Sequence, residues 1–271
     1  MSGLEIAAGV LAGLLAGFAG SMLGLGGGFV MVPILHLGFG LGMKEAVGTS
    51  LGIMIFTAMS SALGYWRQGR IDTKLAGYLV VTSVPGVICG ALISNVLDQR
   101  TLKIVFGCAL TLAAIRMFTG KKALASRGFK RHVLQRKITD KYGTVFEYNV
   151  NLVLTMIFAG VAGVSAGLLG IGGGIVNVPI LTLSGLPIHL AVATSSFLII
   201  FNATTGAVSH AFMEHIMYGH ALAIIPGVII GGQLGALASK KFKAKKLQLV
   251  LAVALLLLAL RMIAKALGWM V

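Results

Sequence analysis

A glycine-rich, charge-free segment occurs twice in this chain, as GFAGSMLGLGGGFVMVPIL from Gly17 to Leu35 and as GVSAGLLGIGGGIVNVPIL from Gly163 to Leu181, with eleven of nineteen aligned positions identical. Each copy sets four glycines within five positions, five residues ahead of a proline: Gly24, Gly26, Gly27 and Gly28 before Pro33, then Gly170, Gly172, Gly173 and Gly174 before Pro179. An interior glycine costs a helix about 1 kcal/mol relative to alanine, so four this close predict a break rather than a continuous helix. The backbone is therefore expected to loosen at two equivalent places, both inside apolar sequence.

The surroundings of these breaks set the class. Of 271 residues, 57% are hydrophobic and 11% charged, and the mean hydropathy is +0.97, far from the roughly 25% charged of a soluble domain. Apolar stretches such as Ala46 to Trp66, Leu75 to Leu97 and Ala221 to Ser239 exceed the ~18 residues that cross the hydrocarbon of a bilayer. They predict a polytopic membrane protein. The first apolar run follows Glu5 without a basic leader or a cleavage site, and it reads as part of the mature chain rather than a signal peptide. Cys89 and Cys108 lie in apolar segments without metal or redox spacing and read as small core residues.

The net charge of +15 is concentrated in two loops: thirteen of the 22 basic residues fall between Lys121 and Lys141 or between Lys240 and Lys246. Such loops set topology and lie against anionic headgroups on the cytoplasmic side, so they need no nucleic acid to explain them.

The duplication extends beyond the glycines. KEAVGTS (Lys44 to Ser50) answers HLAVATS (His189 to Ser195), VPGVICGAL (Val84 to Leu92) answers IPGVIIGGQL (Ile225 to Leu234), and AAIRM (Ala113 to Met117) answers LALRM (Leu258 to Met262). The chain divides into a first transmembrane repeat over residues 1–120, a basic cytoplasmic linker over 121–148, and a second repeat over 149–271. The linker's polar composition predicts a soluble loop holding one or two helical turns. Keeping both basic loops on one side places equivalent loops of the two halves on opposite sides, which defines inverted-topology repeats. It also requires the segment from Asn151 to Leu183 to cross an even number of times, as a re-entrant hairpin or as two thin crossings. A parallel repeat is the rival, and it strands five lysines outside. The expected fold is an all-α polytopic membrane protein of two inverted repeats, each with a glycine-interrupted short or re-entrant helix pair plus three transmembrane helices.

Backbone N–H groups freed at the glycine breaks can form an anion-binding nest, reinforced by the positive end of the helix that follows. Facing copies from the two halves would enclose one site near the midplane. The bland alternative, tight helix packing, fits the pairs Gly86/Gly90 and Gly227/Gly231 better than it fits consecutive glycines. Candidate polar ligands are Thr49 and Ser50 in the first half, with Thr194, Ser195, Asn177 and Asn202 in the second. Ser196, Thr57, Ser60 and Gln233 lie nearby. Asn177 stands where the first half has Met31, so a role for it makes the site asymmetric. All seven acidic residues lie at helix ends or in loops, which disfavours a carboxylate proton relay or cation site and suits an anion. His36 and His210 read better as satisfied interfacial histidines than as proton carriers. Nothing points to a catalytic triad, a metal cluster, a phosphate loop or a cofactor.

The paired G-[LI]-G-G-G-x-[VI]-x-V-P segments, the Thr-Ser helix openings and the Pro-Gly helices resemble the TauE/SafE family of sulfite-exporter-like permeases over essentially both halves. That resemblance implies an inner-membrane, multi-pass transporter of sulfur-containing anions such as sulfite or organosulfonates, with the segments Gly24 to Pro33 and Gly170 to Pro179 supplying the substrate site. The leading expectation is a secondary transporter working by alternating access. An anion channel of the same architecture and a non-transporting membrane assembly or sensor subunit are the alternatives.

Overall fold

A computed structural model of the chain describes residues 3–119 and 133–239 and, near the C-terminus, residues 253, 256, 257, 259–264, 266 and 267. The cluster Lys240 to Lys246, and the linker from Lys121 to Arg131, lie outside the described residues. The order is α1 (Gly3–Leu23), the short α2 (Gly28–Pro33) running into a π-helical turn (Ile34–Gly38), α3 (Met43–Arg67), α4 (Thr73–Val96) and α5 (Gln99–Thr119). A hairpin of β1 (Val133–Thr139) and β2 (Val145–Asn151) follows. The second half comprises α6 (Leu152–Leu169), α7 (Gly174–Leu183), α8 (Ile188–Phe212) and α9 (Tyr218–Ala238).

Among the described residues six helices, α1, α3, α4, α6, α8 and α9, are long and apolar enough to cross a membrane. Their outward sides carry large apolar residues such as Leu11, Leu15, Val81, Ile157, Leu222 and Ile230, all exposed, as a lipid-facing surface requires. Cys89 and Cys108 share that surface: they are exposed, not core residues as their apolar context suggested. Apolar sequence in a span marks lipid-facing and buried positions alike.

The halves pack reciprocally, α1 against α9 and α4 against α6, with α3 and α8 together at the centre. In the α1/α9 seam a Cβ on Gly227 or Gly231 would run into the carbonyls of Val10 and Leu14. In the α4/α6 seam Gly86 and Gly90 meet Gly160 and Val164 in the same way. These are small-xxx-small seams. The central pair runs antiparallel: the Met217 N–H, just before α9, donates to Thr49 Oγ1 in the second turn of α3 at 2.9 Å, and the Asp72 N–H, just before α4, donates to Thr194 Oγ1 in the second turn of α8 at 3.1 Å.

The linker corrects the expectation of helical turns. VLQRKIT pairs antiparallel with VFEYNVN, Arg136 opposite Tyr148. The turn between them is closed by Asp140 Oδ1, which accepts from the N–H groups of Tyr142 and Thr144, with Gly143 at φ 79°. Alternating residues rich in β-branched and aromatic types favour a strand, and the basic composition hid that period. The hairpin docks on the α3–α4 corner. Lys141 N–H donates to Gln68 O, Arg70 pairs with Asp140 at 2.9 Å, and Arg136 pairs with Asp72 at 2.7 Å. Gln68 in turn donates to Ala236 O, so α9 ends at the same side of the molecule as the hairpin.

Candidate functional site

The two glycine segments fold into matching reversals. Gly24, Gly26 and Gly27 have φ of 70°, 76° and 84°, and Gly170, Gly172 and Gly173 have 69°, 63° and 79°, a left-handed region costly for any residue with a Cβ. Gly28 and Gly174 then open α2 and α7. After each reversal the chain folds back along the helix it has just left, so that a Cβ on Gly27 would lie 2.7 Å from Ala16 O and one on Gly173 3.0 Å from Ala162 O. The structure brings the two reversals into contact. Gly28 abuts the Gly170 carbonyl, and a Cβ on Gly174 would lie 2.5 Å from Leu25 Cα. Side chains from the middle of α3 and α8 fill the centre: Met54 and Ile199 lie against both Gly26 and Gly172, and they form a small buried cluster with Ala58 and Ala203.

The Thr-Ser openings of α3 and α8 tie one half to the other. Ser50 Oγ donates to Gly170 O at 3.0 Å and Ser195 Oγ donates to Gly24 O at 2.8 Å, each hydroxyl holding the first glycine of the opposite reversal. Thr49 and Thr194 accept the backbone bonds already described. All four residues are fully buried. Of the neighbouring polar residues, Ser196 bonds back to Val192 O, Ser60 donates to Ile229 O and Gln233 donates to Ser60 O. His36 Nδ1 donates to Leu41 O and His210 Nε2 to Gly167 O.

Symmetry fails at Asn177 and Asn202. Their first-half counterparts are Met31, fully buried, and Thr57, whose hydroxyl bonds back to Ile53 O. Asn177 and Asn202 are 3% and 0% exposed, yet Asn177 Nδ2 and both amide atoms of Asn202 have no hydrogen-bond partner. A buried polar atom left unpaired costs about 1–3 kcal/mol, so side chains of this kind in an apolar fold call for a reason. Both amides converge on Gly173: a Cβ there would lie 3.2 Å from Asn202 Nδ2 and 3.3 Å from Asn177 Nδ2. Gly173 caps α7, whose first-turn N–H groups at Gly174 and Ile175 have no acceptor within their own helix and carry its positive end.

Sequence reasoning passed over one polar cluster. Asp72 is fully buried and accepts from Leu75 N–H as the N-cap of α4, from Arg136 Nε and Nη2 and from Tyr148 Oη at 2.5 Å. Burial pushes its carboxyl up, but these hydrogen bonds outweigh it and hold the group below the usual carboxylate value. Its own N–H is the one held by Thr194, so the hairpin is wired into the opening of α8. A strand period in the linker was the signal available. Among the described residues no group of His, Cys, Asp or Glu is placed to hold a metal ion.

Six spanning-length helices among the described residues, with lipid-facing apolar surfaces and built from two halves that meet at paired backbone reversals, define a multi-pass membrane protein. Its sequence matches the profile of the sulfite exporter TauE/SafE family over residues 9–262, and the chain belongs to that family. It is 34% identical over 262 residues to the probable membrane transporter protein YunE of Bacillus subtilis, covering 94% of this chain and 96% of that protein. A probable membrane transporter protein of Methanocaldococcus jannaschii is 30% identical over 257 residues, with 89% of each chain covered. A second Bacillus subtilis protein of the same description, YjnA, is 27% identical over 269 residues, 94% and 98% covered. No solved structure matches the chain. These relatives make the protein a membrane transporter rather than an enzyme.

Proposed function

We propose that the protein is a secondary transporter for a small sulfur-containing anion such as sulfite or an organosulfonate, working by alternating access at the junction of its two glycine reversals. The observation that carries the reading is the direct contact of those reversals between α3 and α8, the loosened backbone of each half held by a serine of the other. Gly24, Gly26, Gly27 and Gly28 with Gly170, Gly172, Gly173 and Gly174 form the body of the site. Thr49, Ser50, Thr194 and Ser195 are its hinge bonds, and Asn177 and Asn202 its polar ligands. An anion suits a place that offers amide and backbone N–H donors and no carboxylate. The antiparallel course of α3 and α8, with the hairpin and the end of α9 on one side, supports inverted repeats whose basic loops face the cytoplasm. Rocking one half against the other about the Ser–glycine and Thr–backbone bonds would then expose the site to each side in turn.

The test is uptake into proteoliposomes from a panel of sulfite, sulfate, thiosulfate, sulfoacetate, taurine and lactate, with pH and sodium gradients varied independently. The reading expects flux of a sulfur-containing anion and accumulation against its gradient when a second gradient drives it. Flux without accumulation under any gradient makes the protein a channel. Flux of cations or neutral solutes alone overturns the reading.

A further inference from the structure

We infer that the anion is held by the second half alone, in a subsite made of Asn177, Asn202 and the N-terminus of α7, and that its ligand carries a hydrogen-bond donor as well as an oxyanion. This rests on the transport reading and makes it more specific.

The two reversals are so alike in backbone that a symmetric site, straddling both, is the natural expectation. Side chains argue otherwise. On the pseudo-symmetric centre stand Met54 and Ile199, whose side chains fill the space facing Gly26 and Gly172 and offer an oxyanion no hydrogen bond. In the first half the positions flanking the reversal hold Met31 and a Thr57 whose hydroxyl is already spent on Ile53 O. In the second half the same positions hold two buried amides converging on Gly173, with Asn177 Nδ2 and both amide atoms of Asn202 unpartnered. Every other polar residue of the junction, Thr49, Ser50, Thr194 and Ser195, is engaged in holding the halves together. Polar groups left over in a buried, otherwise satisfied network are the ones free to meet a ligand.

The unpaired atoms also state what the ligand looks like. Asn177 Nδ2 and Asn202 Nδ2 are donors and, with the first-turn N–H groups of α7, suit an oxyanion. Asn202 Oδ1 is an acceptor, and an oxyanion cannot satisfy it. Whichever way the Asn202 amide is turned, it offers the site one donor and one acceptor. The fitting ligand therefore presents an O–H or N–H beside its oxyanion, as a hydroxylated or amino-bearing small anion does and a bare alkyl one does not.

A matched pair of probes isolates the acceptor: isethionate (2-hydroxyethanesulfonate) and ethanesulfonate share a sulfonate and differ by one hydroxyl. Binding of each to the purified full-length protein in nanodiscs is measured by titration calorimetry, beside variants that give the second half the first half's residues, Asn177→Met and Asn202→Thr. The expected result is isethionate binding on the order of tenfold tighter than ethanesulfonate. That preference should vanish in Asn202→Thr, and both probes should weaken in Asn177→Met. Both variants should melt, without ligand, no lower than the parent, since each removes an unpaired buried amide, whereas amides with a structural role would lower the melting temperature when removed. Equal binding of the two probes, unchanged in both variants, overturns the subsite and leaves the transport reading standing, with water satisfying the amides. No binding of either probe, together with no flux of any anion in proteoliposomes, overturns both. A loss of binding as large in Met31→Ala as in Asn177→Met returns the site to the shared axis.

Discussion

The two halves of this transporter make the same backbone reversal and surround it with different chemistry. Each makes a left-handed glycine reversal, lays a short helix back along a long one, and lends a serine to the reversal of the other half. In the first half the flanks of the reversal are Met31 and a self-satisfied Thr57, and in the second they are two buried amides with Asn177 Nδ2 and both Asn202 atoms unpaired. The outer ends differ too. The α8–α9 corner meets Thr49 through Met217 N–H alone, while the equivalent α3–α4 corner meets Thr194 through Asp72, which a docked hairpin grips with Arg136 and Tyr148. What is repeated is the packing of the reversals, and what is not repeated is the polar chemistry beside them and the docked linker. A duplication supplies the same reversal twice over, and divergence of a few side chains can then leave unpaired polar groups in one copy and apolar packing in the other.

The largest contrast should come at the reversals themselves. Gly27 and Gly173 both have positive φ, and a Cβ on Gly27 would be the more crowded of the two, 2.7 Å from Ala16 O against 3.0 Å from Ala162 O for Gly173. Gly27→Ala should therefore cost at least as much melting temperature as Gly173→Ala, each by the ~1–2 kcal/mol of a strained left-handed residue. Binding should order the other way, since a methyl on Gly173 enters between the two amides. Gly173→Ala should lose at least about tenfold in isethionate affinity, whereas equal losses in the two variants would erase the distinction between the halves.

Next comes the hairpin. Removing one partner of a buried ion pair typically costs about 3–5 kcal/mol, and Arg136, a fifth exposed while Asp72 is sealed, should fall at the lower end. Arg136→Met is expected to lower stability by about 3 kcal/mol in denaturant melts. A change near zero would show that the hairpin rests on the helices without holding them.

Much of this architecture could be read from the residues. The glycine segments announced their own break, because four glycines in five positions cannot be good helix, and the repeated Thr-Ser and Pro-Gly signatures located the equivalent helices. The basic clusters asked for the linker and the segment after α9 on one side; the hairpin and the end of α9 lie on the same side of the molecule, while the cluster Lys240 to Lys246 lies outside the described residues. The hairpin itself was hidden because Arg136 and Lys137 weigh more in a composition argument than the alternation that carries them. Asp72 was counted as one more acid at a helix end, and its cage of donors depends on long-range docking that no local pattern encodes. That Asn177 and Asn202 would lie unpaired beside Gly173 was likewise not legible, since they are 25 residues apart in sequence and meet only through the packing of α7 on α8. The roles of Ser50 and Ser195 were half visible: as polar residues in apolar helices they stood out, but whether they line a path or tie two loops depends on which carbonyl they reach.

Smaller effects probe where the halves should be alike. Ser50→Ala and Ser195→Ala each orphan one glycine carbonyl, at Gly170 and Gly24, and should each cost about 1 kcal/mol. A large inequality would mean that the reciprocal bonds are not equivalent. A further effect is one of pH. The Asp72 carboxyl is held below its ordinary 3.8 in the folded protein. A depressed carboxylate contributes stability that is present in full above the unfolded-state pKa and fades as pH falls through the folded one. Hydrogen-exchange protection of the hairpin amides, corrected for the intrinsic exchange rate at each pH, should accordingly be constant above about pH 5 and decline below about pH 4. In Asp72→Asn it should be weaker and lose that dependence on pH.

The most direct measurement is a structure of the full-length protein in nanodiscs with isethionate bound. The sulfonate is expected beside Gly173, within hydrogen-bond distance of Asn177 and Asn202, with the hydroxyl turned toward the Asn202 amide and Met54 still seated between the reversals. Density for the anion on the shared axis between Met54 and Ile199, or against Met31 in the first half, would contradict the assignment of binding to one half.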